Sequence, residues 1–156
     1  MDTEFIKNEI GAFFEQMGFG DEFEDVDIHQ GVRSRFNVRV RGSANMLIGE
    51  RGNNLVAIEH LLKKIISKKR DKTASSEEEK FTLDINDYRI KRLYDLKQDV
   101  KAAAKEVRLY RREAPLRPMS SFERRIVHLL LAEYPDIATE SIGEDPNRRV
   151  IIKPYP

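Results

Sequence analysis

Two glycines three residues apart, Gly49 and Gly52, are the first residues of the sequence whose spacing indicates chemistry. Helical patterns flank both, and a glycine inside a helix costs about 1 kcal/mol relative to alanine, so the pair predicts a turn between two helices. At such a turn the amino end of the second helix carries partial positive charge and open backbone N–H groups, which suit a phosphate. We expect Arg51 to contact that phosphate, and Ile48 and Leu55 to form the floor of a groove beside it.

A second candidate is the pair Arg124 and His128, which stand four positions apart. At 100° per residue the two side chains share one side of a helix, one turn apart, and we expect both to be exposed. The His128 ring has the chemistry of a general base, but neither an acid–base partner nor a cluster of metal ligands accompanies it in the sequence. We therefore predict no catalytic residue and no metal site. The opposite side of this helix holds the apolar residues expected in the core: Phe122, Ile126, Leu129 and Leu130.

Hydrophobic periodicity predicts the elements that position the glycine pair. A helix is expected over about 3–17, followed by strands in "DVDIHQ" and "RSRFNVRVRG", where Phe36, Val38 and Val40 alternate with polar residues. Ser43 is expected to cap a short helix before the glycines, and a longer amphipathic helix follows them. "RDKTASSEEEK" is predicted to be a loop and "KFTLDIN" a third strand.

The second half of the chain has a different pattern. A 3-4-3-4-3 spacing of apolar residues predicts a long helix over about 88–112. "APLRPMSS" contains two prolines and is expected to be extended or turning. Ser120 and Glu123 form a capping box for a helix that ends near Glu133, and "DIATESIG" and "RRVIIKP" are predicted strands. The predicted fold class of the whole chain is α+β.

Residues 1–86 resemble a type II KH domain, both in the order helix–strand–strand–helix–turn–helix–strand and in "NMLIGERGNNLVAIEHLL". A Gly-x-x-Gly motif alone is more often a simple helix break. The resemblance implies a three-stranded sheet with helices on one face, and a turn that clamps the backbone of about four single-stranded nucleotides. Glu50 stands where the family often has a basic residue, so we expect weak binding by this domain alone. The binding residues that the resemblance implies are Ile48, Gly49, Glu50, Arg51, Gly52, Asn53, Leu55 and Lys63.

Residues 87–156 resemble a small α+β R-three-H domain, which is named for an Arg and a His separated by three residues. The passage from Asp84 to Arg92 resembles the "D-x-x-x-Y-R-x-x-R" that joins the two domains in the Jag/KhpB family of bacterial RNA-binding proteins. The resemblance covers nearly the whole chain but not the separate N-terminal domain of many Jag proteins, so we do not expect roles in the membrane or in cell division. It implies a second set of binding residues: Arg89, Arg92, Arg124, Arg125, His128 and Arg148.

Charge lies in blocks along the 156 residues, although the net charge is only +1. Residues 1–31 carry a net charge of −8, residues 32–72 of +8, and residues 89–125 of +7. The two basic blocks indicate surfaces for an anionic partner. Cysteine is absent, which excludes disulfides and thiolate zinc sites. No apolar run reaches membrane-spanning length, so we expect a cytoplasmic protein without membrane insertion.

These patterns predict a single-stranded RNA-binding protein and post-transcriptional regulator, not an enzyme, that uses no cofactor. Single-stranded DNA is an alternative ligand, and an adaptor in a cell-envelope or ribosome-associated complex is an alternative function. A homodimer or a complex with a second KH protein is a further expectation, and the spacing of the long helix is compatible with a coiled coil. Four arginines of the second strand form either another RNA-facing surface or a solvated face: Arg33, Arg35, Arg39 and Arg41.

Overall fold

The computed structural model describes residues 2–70 and 80–156, and its elements fall into two units, Met1–Arg89 and Ile90–Pro156. Each unit has a three-stranded sheet and a buried apolar core of its own. The predicted α+β class is therefore confirmed. Among the described residues, no helix combines the length and the apolar character needed to cross a membrane.

The first unit begins with a helix and a hairpin. Helix α1 spans Thr3–Phe14 and a π-helical turn follows over Glu15–Phe19, in which Gly18 leaves the helical conformation with a φ of 87°. Strands β1 (Phe23–His29) and β2 (Ser34–Val40) pair antiparallel, as two strands joined by a short connection must. Both strands lie where the alternating pattern predicts them.

Two helices then lead to the third strand of this sheet. Helix α2 spans Ala44–Ile48, a 3₁₀ turn spans Glu50–Gly52, and helix α3 spans Asn53–Lys69. Strand β3 (Phe81–Ile85) pairs parallel to β2, so the sheet has the order β1-β2-β3. The loop predicted for "RDKTASSEEEK" falls almost entirely on residues outside the described ones.

Strand β2 is buried on more than the one predicted face. Phe36, Val38 and Val40 lie in the core, as their alternation predicts. Asn37, expected to face solvent, is also buried, and its Oδ1 accepts a hydrogen bond from the Asp87 amide over 2.9 Å. The strand therefore contributes a polar anchor to the segment that follows β3.

The second unit is built around a long helix and an antiparallel sheet. Helix α4 spans Tyr88–Tyr110 and helix α5 spans Ser121–Leu131, with both hydrogen bonds of the predicted Ser120–Glu123 capping box present. Strands β5 (Ile137–Ile142) and β6 (Arg149–Pro154) form a hairpin.

A two-residue strand completes the second sheet. Strand β4 (Ala114–Pro115) pairs with the other side of β6, in a segment that the sequence predicts only as extended or turning. Two residues show no alternation, and proline is tolerated in a sheet only at an edge, so periodicity carries no signal for this strand.

Candidate nucleic-acid interface

The turn between α2 and α3 is closed by its own hydrogen bonds. The Gly49 amide donates to the Asn45 carbonyl over 2.9 Å, and the Gly52 amide donates to the Gly49 carbonyl over 3.2 Å. The Asn53 amide donates to the Glu50 carbonyl. The amides of Gly49, Gly52 and Asn53 are therefore not open to a phosphate, because the tight turn satisfies them itself.

The two glycines are required by the backbone conformation and by close packing. Gly49 has a φ of 71° and Gly52 a φ of 79°, which side-chain-bearing residues rarely adopt. A Cβ on Gly49 would lie 2.5 Å from Cγ of Asn54, whose Nδ2 donates to the Met46 carbonyl over 2.8 Å. A Cβ on Gly52, which is buried, would lie 3.0 Å from Cε1 of Tyr88. The motif thus determines the shape of the turn.

The side chains that the turn presents to solvent are those of Glu50, Arg51 and Asn53. Arg51 has a φ of 54°, so it adopts the left-handed conformation at the tip of the turn. Arg51 precedes the first residue of α3 by two positions, and the helix dipole also favours an anion at that end of α3. This part of the predicted site is accessible.

The two residues predicted to form the apolar floor of this site are buried. Ile48 and Leu55 are buried in the core of the first unit, Leu55 with 1 % of its surface exposed, because α2 and α3 pack their apolar sides into that core. The exposed apolar side chains of these two helices include Met46 and Val56, which the sequence reasoning missed. Val56 stands 100° from its neighbour Leu55 around the helix, and this offset was the signal in the sequence that could have indicated its exposure.

Lys63 and Arg89 converge on one carboxylate of the first unit. Lys63 Nζ lies 2.8 Å from Glu59 Oε1 and 5.4 Å from the centre of the Phe81 ring. Arg89 Nη2 lies 2.8 Å from Glu59 Oε2, which also accepts a hydrogen bond from the Leu83 amide over 3.0 Å. Arg89, expected to act with the second set of residues, thus pairs within the first unit.

The arginines of strand β2 are paired with acidic residues. Arg35 Nη1 lies 3.1 Å from both Asp84 Oδ2 and Asp87 Oδ1. Arg39 pairs with Asp27 on the neighbouring strand, and Arg41 Nε lies 3.0 Å from Glu24 Oε1. Since these carboxylates offset the positive charge, the contacts favour a solvated, paired face over a second RNA-facing surface.

The side of α5 that the sequence predicts to be exposed faces the core of the second unit. Arg124 is 8 % exposed and is buried together with Glu123, Val127 and Leu131, whereas Phe122 and Leu129 are 65 % and 60 % exposed. The prediction of an exposed Arg124 and a buried Phe122–Leu129 side is therefore wrong. The charged ends of Glu123 and Arg124 have partners inside the unit, and this makes their burial tolerable.

The Arg124 guanidinium is held by backbone and carboxylate oxygens. Its Nη1 donates to the Met119 carbonyl over 2.9 Å and lies 3.5 Å from Asp145 Oδ1. Arg125, the next residue, is exposed. Arg124 therefore joins the start of α5 to the turn before β6, while Arg125 is accessible to a ligand.

His128 and Arg148 contact strand β5 on one face. His128, half-buried, has its Nδ1 2.6 Å from Thr139 Oγ1, and Arg148 Nε donates to Ser141 Oγ over 3.1 Å. Because alternate residues of a strand share a face, Thr139 and Ser141 place the two side chains on the same face of the sheet. Thr139 was missed by the sequence reasoning, since a threonine in a strand carries no positional signal.

Arg92 binds the amino end of α5. Its Nε lies 2.6 Å from Glu123 Oε1, while Glu123 Oε2 accepts a hydrogen bond from the Ser120 amide over 2.8 Å. Burial alone would raise the pKa of Glu123, but the hydrogen bonds from Arg92 and Ser120 outweigh it and hold that pKa below its ordinary value of 4.5.

This carboxylate should make the second unit sensitive to acid. A carboxyl whose pKa is lowered by folding stabilises the fold above its unfolded pKa, and that stability is lost as pH falls below about 4.5 toward the folded pKa. At pH 7 we expect Glu123→Gln to cost about 1–2 kcal/mol through the lost charge-assisted hydrogen bonds. Urea denaturation of both proteins from pH 7 to pH 3 should show the difference shrinking in acid. A difference that is constant with pH would contradict the assignment.

The described ranges, 2–70 and 80–156, contain no group of three or more His, Asp or Glu residues placed to hold a metal ion. What the sites offer chemically is charge and hydrogen bonding. Accessible basic side chains stand at the turn before α3 in the first unit and at the face of β5 with Arg125 in the second.

The second unit matches the sequence model of the R-three-H domain over residues 92–154. This range contains α5, β5, β6 and most of α4, so it includes five of the six residues in the second predicted set: Arg92, Arg124, Arg125, His128 and Arg148.

Three curated relatives extend the similarity into the first unit. An RNA-binding protein KhpB from Clostridium symbiosum is 34% identical over 122 residues, which cover 78% of this chain and 53% of the relative. Proteins of the same name from Bacillus subtilis and Lactiplantibacillus plantarum are 31% and 30% identical over 131 residues, or 82% of this chain, and the match covers 60% and 38% of the relatives. The chain thus spans about half the length of the curated relatives it matches.

Proposed function

The chain belongs to the KhpB (Jag) family, and from this premise we propose that it binds single-stranded RNA and acts in post-transcriptional regulation. The name of the relatives supports RNA as the ligand, and the R-three-H match supports the second unit as one of the binding modules. The observation that carries the proposal is the presence of exposed basic side chains in each unit, Arg51 in the Gly-x-x-Gly turn of the first and Arg125 and Arg148 in the second. Two weak modules on one chain bind a single strand more tightly than either alone, because the second contact is intramolecular.

We infer that residues 1–86 form a type II KH domain and that residues 87–156 form the R-three-H domain. The order α1-β1-β2-α2-turn-α3-β3 supports the first assignment. The parallel pairing of β2 and β3 supports it too, because parallel neighbours need a long crossover connection, which here contains α2, the Gly-x-x-Gly turn and α3.

At the KH turn, the proposed contact to RNA is made by the Arg51 guanidinium and the amino end of α3. The glycines act by fixing the turn, not by leaving amides free. Glu50, also exposed, lies beside the expected phosphate position and lowers the affinity of this unit. Ile48 and Leu55 support the turn from within the core, while Met46 and Val56 are the apolar side chains open to bases.

In the R-three-H domain the proposed contacts are Arg125, His128 and Arg148. The first is exposed, and the other two share one face of β5. Arg124 and Arg92 are positioning residues, since Arg124 is itself buried and Arg92 pairs with the buried Glu123. The signature Arg–His pair therefore divides into a buried arginine that holds the structure and a half-buried histidine that contacts strand β5.

Removing one phosphate contact should change the salt dependence of RNA binding. For single-stranded nucleic acid the slope of log K against log salt is about −0.7 per neutralised phosphate. We expect Arg51→Ala to reduce the magnitude of this slope by about 0.7 and to weaken RNA binding about fivefold to tenfold. The measurement is fluorescence anisotropy of a labelled single-stranded RNA at several salt concentrations, with the full chain.

Matched controls separate the proposed contacts from general charge loss. Arg33→Ala removes an exposed arginine of the same unit that belongs to the connection between β1 and β2 and not to the turn, and we expect it to leave the slope nearly unchanged. Arg125→Ala with His128→Ala, compared with Arg112→Ala, tests the second unit in the same way. Equal effects of the site variants and their controls would contradict the assigned surfaces, and tighter binding of the matching DNA strand would identify DNA as the ligand.

A further inference from the structure

A groove between α4 and the end of α5 has no part in the proposed RNA surfaces. It has a volume of about 710 Å³, which is in the range of ligand-binding clefts, and it lies entirely within the second unit. Leu130 lines it, whereas His128 belongs to the proposed RNA contact. Two residues correspond to 200° around a helix, so Leu130 and His128 point to different sides of α5. None of the proposed RNA contacts Arg125, His128 and Arg148 lines the groove.

One edge of this α4–α5 groove is a row of cations. Lys97, Lys101 and Lys105 recur every four residues along α4 and are all exposed, which spaces them about 6 Å apart on one side of the helix. In the described part of the chain none of these three lysines forms an ion pair. Arg108 continues the row, so four basic residues and no acidic one are among the ten that line the groove.

The floor and the far wall of the α4–α5 groove are aliphatic. Val100, Ala104 and Leu131 are buried at the bottom, and Leu109 and Leu130 are exposed on the walls. Exposed leucines that line a concave surface beside unpaired charges are typical of an interaction site. The groove therefore combines apolar area with a one-sided positive charge.

A nucleic-acid strand is a poor fit to this surface. Bases bind proteins by stacking on open aromatic or guanidinium faces and by polar contacts to their edges. The single aromatic residue among those lining the groove is Tyr134, and the Arg108 guanidinium already covers its ring at 4.4 Å while pairing with Asp136 at 2.7 Å. Phosphates would meet the lysines but would leave the leucines uncovered.

We propose that the α4–α5 groove binds an acidic amphipathic helix of a partner protein. Such a helix lays apolar side chains at positions i, i+3 or i+4, and i+7 on the aliphatic floor. Its carboxylates, repeated every four residues on one flank, lie opposite Lys97, Lys101 and Lys105 when the two helices run side by side. The row from Lys97 to Arg108 is about 16 Å long, which matches three turns of the partner.

The test is selection of ligands for the full chain from a display library of 16-residue helical peptides with randomised faces. We expect the enriched peptides to carry Leu, Ile or Met on one side and Asp or Glu at four-residue spacing on its flank. Synthetic versions should lose at least about tenfold in affinity, by fluorescence anisotropy, for Leu130→Asp and for the double variant Lys101→Glu, Lys105→Glu. The double variant changes only exposed side chains, so it stays informative if Leu130→Asp fails to fold.

Lys91→Glu is the matched control, because Lys91 is an exposed lysine of α4 that does not line the groove. It should leave peptide affinity unchanged, and a single-stranded RNA should not displace the peptide. The proposal is overturned by a selection that yields no peptide sensitive to both groove variants. Displacement of the peptide by RNA would overturn it in favour of a nucleic-acid site, and self-association abolished by Leu130→Asp would overturn it in favour of a second copy of the chain.

Discussion

Replacing Gly49 with alanine should lower the free energy of unfolding of the first unit by about 2–5 kcal/mol and weaken RNA binding about tenfold or more. Gly49 has a φ of 71° and a ψ of 179°, a conformation essentially restricted to glycine that costs a side-chain-bearing residue about 1–3 kcal/mol. The new Cβ would also lie 2.5 Å from the Asn54 side chain, and relieving that overlap costs about 1–2 kcal/mol more. Hydrogen exchange of first-unit peptides measures the stability, and RNA anisotropy measures the binding.

Gly18→Ala separates the two contributions. Gly18 has a φ of 87°, yet no neighbouring atom lies within 4 Å of the position that its Cβ would take. We expect it to cost only the backbone term of about 1–2 kcal/mol and to leave RNA binding unchanged. Equal losses for the two variants would contradict the larger cost expected at the Gly49 turn.

Removing the Asp84 carboxylate should have the second large effect, a loss of about 3 kcal/mol in the stability of the first unit for Asp84→Ala. Asp84 is fully buried, and its Oδ2 lies 3.1 Å from the Arg35 guanidinium. Its Oδ1 accepts hydrogen bonds from the Ile85 amide over 2.9 Å and from the Arg89 amide over 3.1 Å. The variant leaves these donors without a partner, and each unmade hydrogen bond costs about 1–3 kcal/mol.

Glu24→Ala is the matched control for Asp84. Its ion pair with Arg41 is exposed on both sides, so we expect a loss below about 1 kcal/mol. Hydrogen exchange of the β2 and β3 amides should accelerate in Asp84→Ala and remain near the wild-type rate in Glu24→Ala. Similar rates in the two variants would contradict a buried role for the Asp84 carboxylate.

The positions of helices and strands could be predicted where interactions between residues close in sequence determine them. The Ser120–Glu123 capping box forms as expected, since both partners lie within one helical turn. Phe36, Val38 and Val40 are buried as their alternation predicts, because that face of β2 meets helices with matching apolar stripes. Strand β4 could not be predicted, as its two residues are ordered by pairing with β6 alone.

The orientation of α5 could not be predicted from periodicity. Phe122 and Leu129 have the spacing of a buried stripe, while the observed stripe contains Glu123 and Arg124. Both charges are buried because each has a partner of opposite charge. Arg92, 31 positions before Glu123, pairs with Glu123, and Asp145, 21 positions after Arg124, pairs with Arg124. No local pattern contains that information, so the predicted exposure of Arg124 was wrong.

The glycine turn was predicted at the right place for an incomplete reason. Absent side chains were expected to leave amides open, but the amides of Gly49, Gly52 and Asn53 are used inside the turn. The contacts that require glycine come from Asn54 and Tyr88, and only the second is distant in sequence. The sequence motif therefore located the turn, while the physical reason for its glycines needed the tertiary structure.

The parallel strand β3 has a consequence for the chain while it is being translated. Ser34 pairs with Phe81, which follows it by 47 positions. At about 5–20 residues per second, roughly 2–9 seconds separate the synthesis of these two residues. During that interval the nascent β2 has one edge without its neighbour, and an open edge is a template for pairing with other chains. Protease resistance of the first unit should therefore arise only after Arg89, whose amide completes the contacts of Asp84, has left the ribosome.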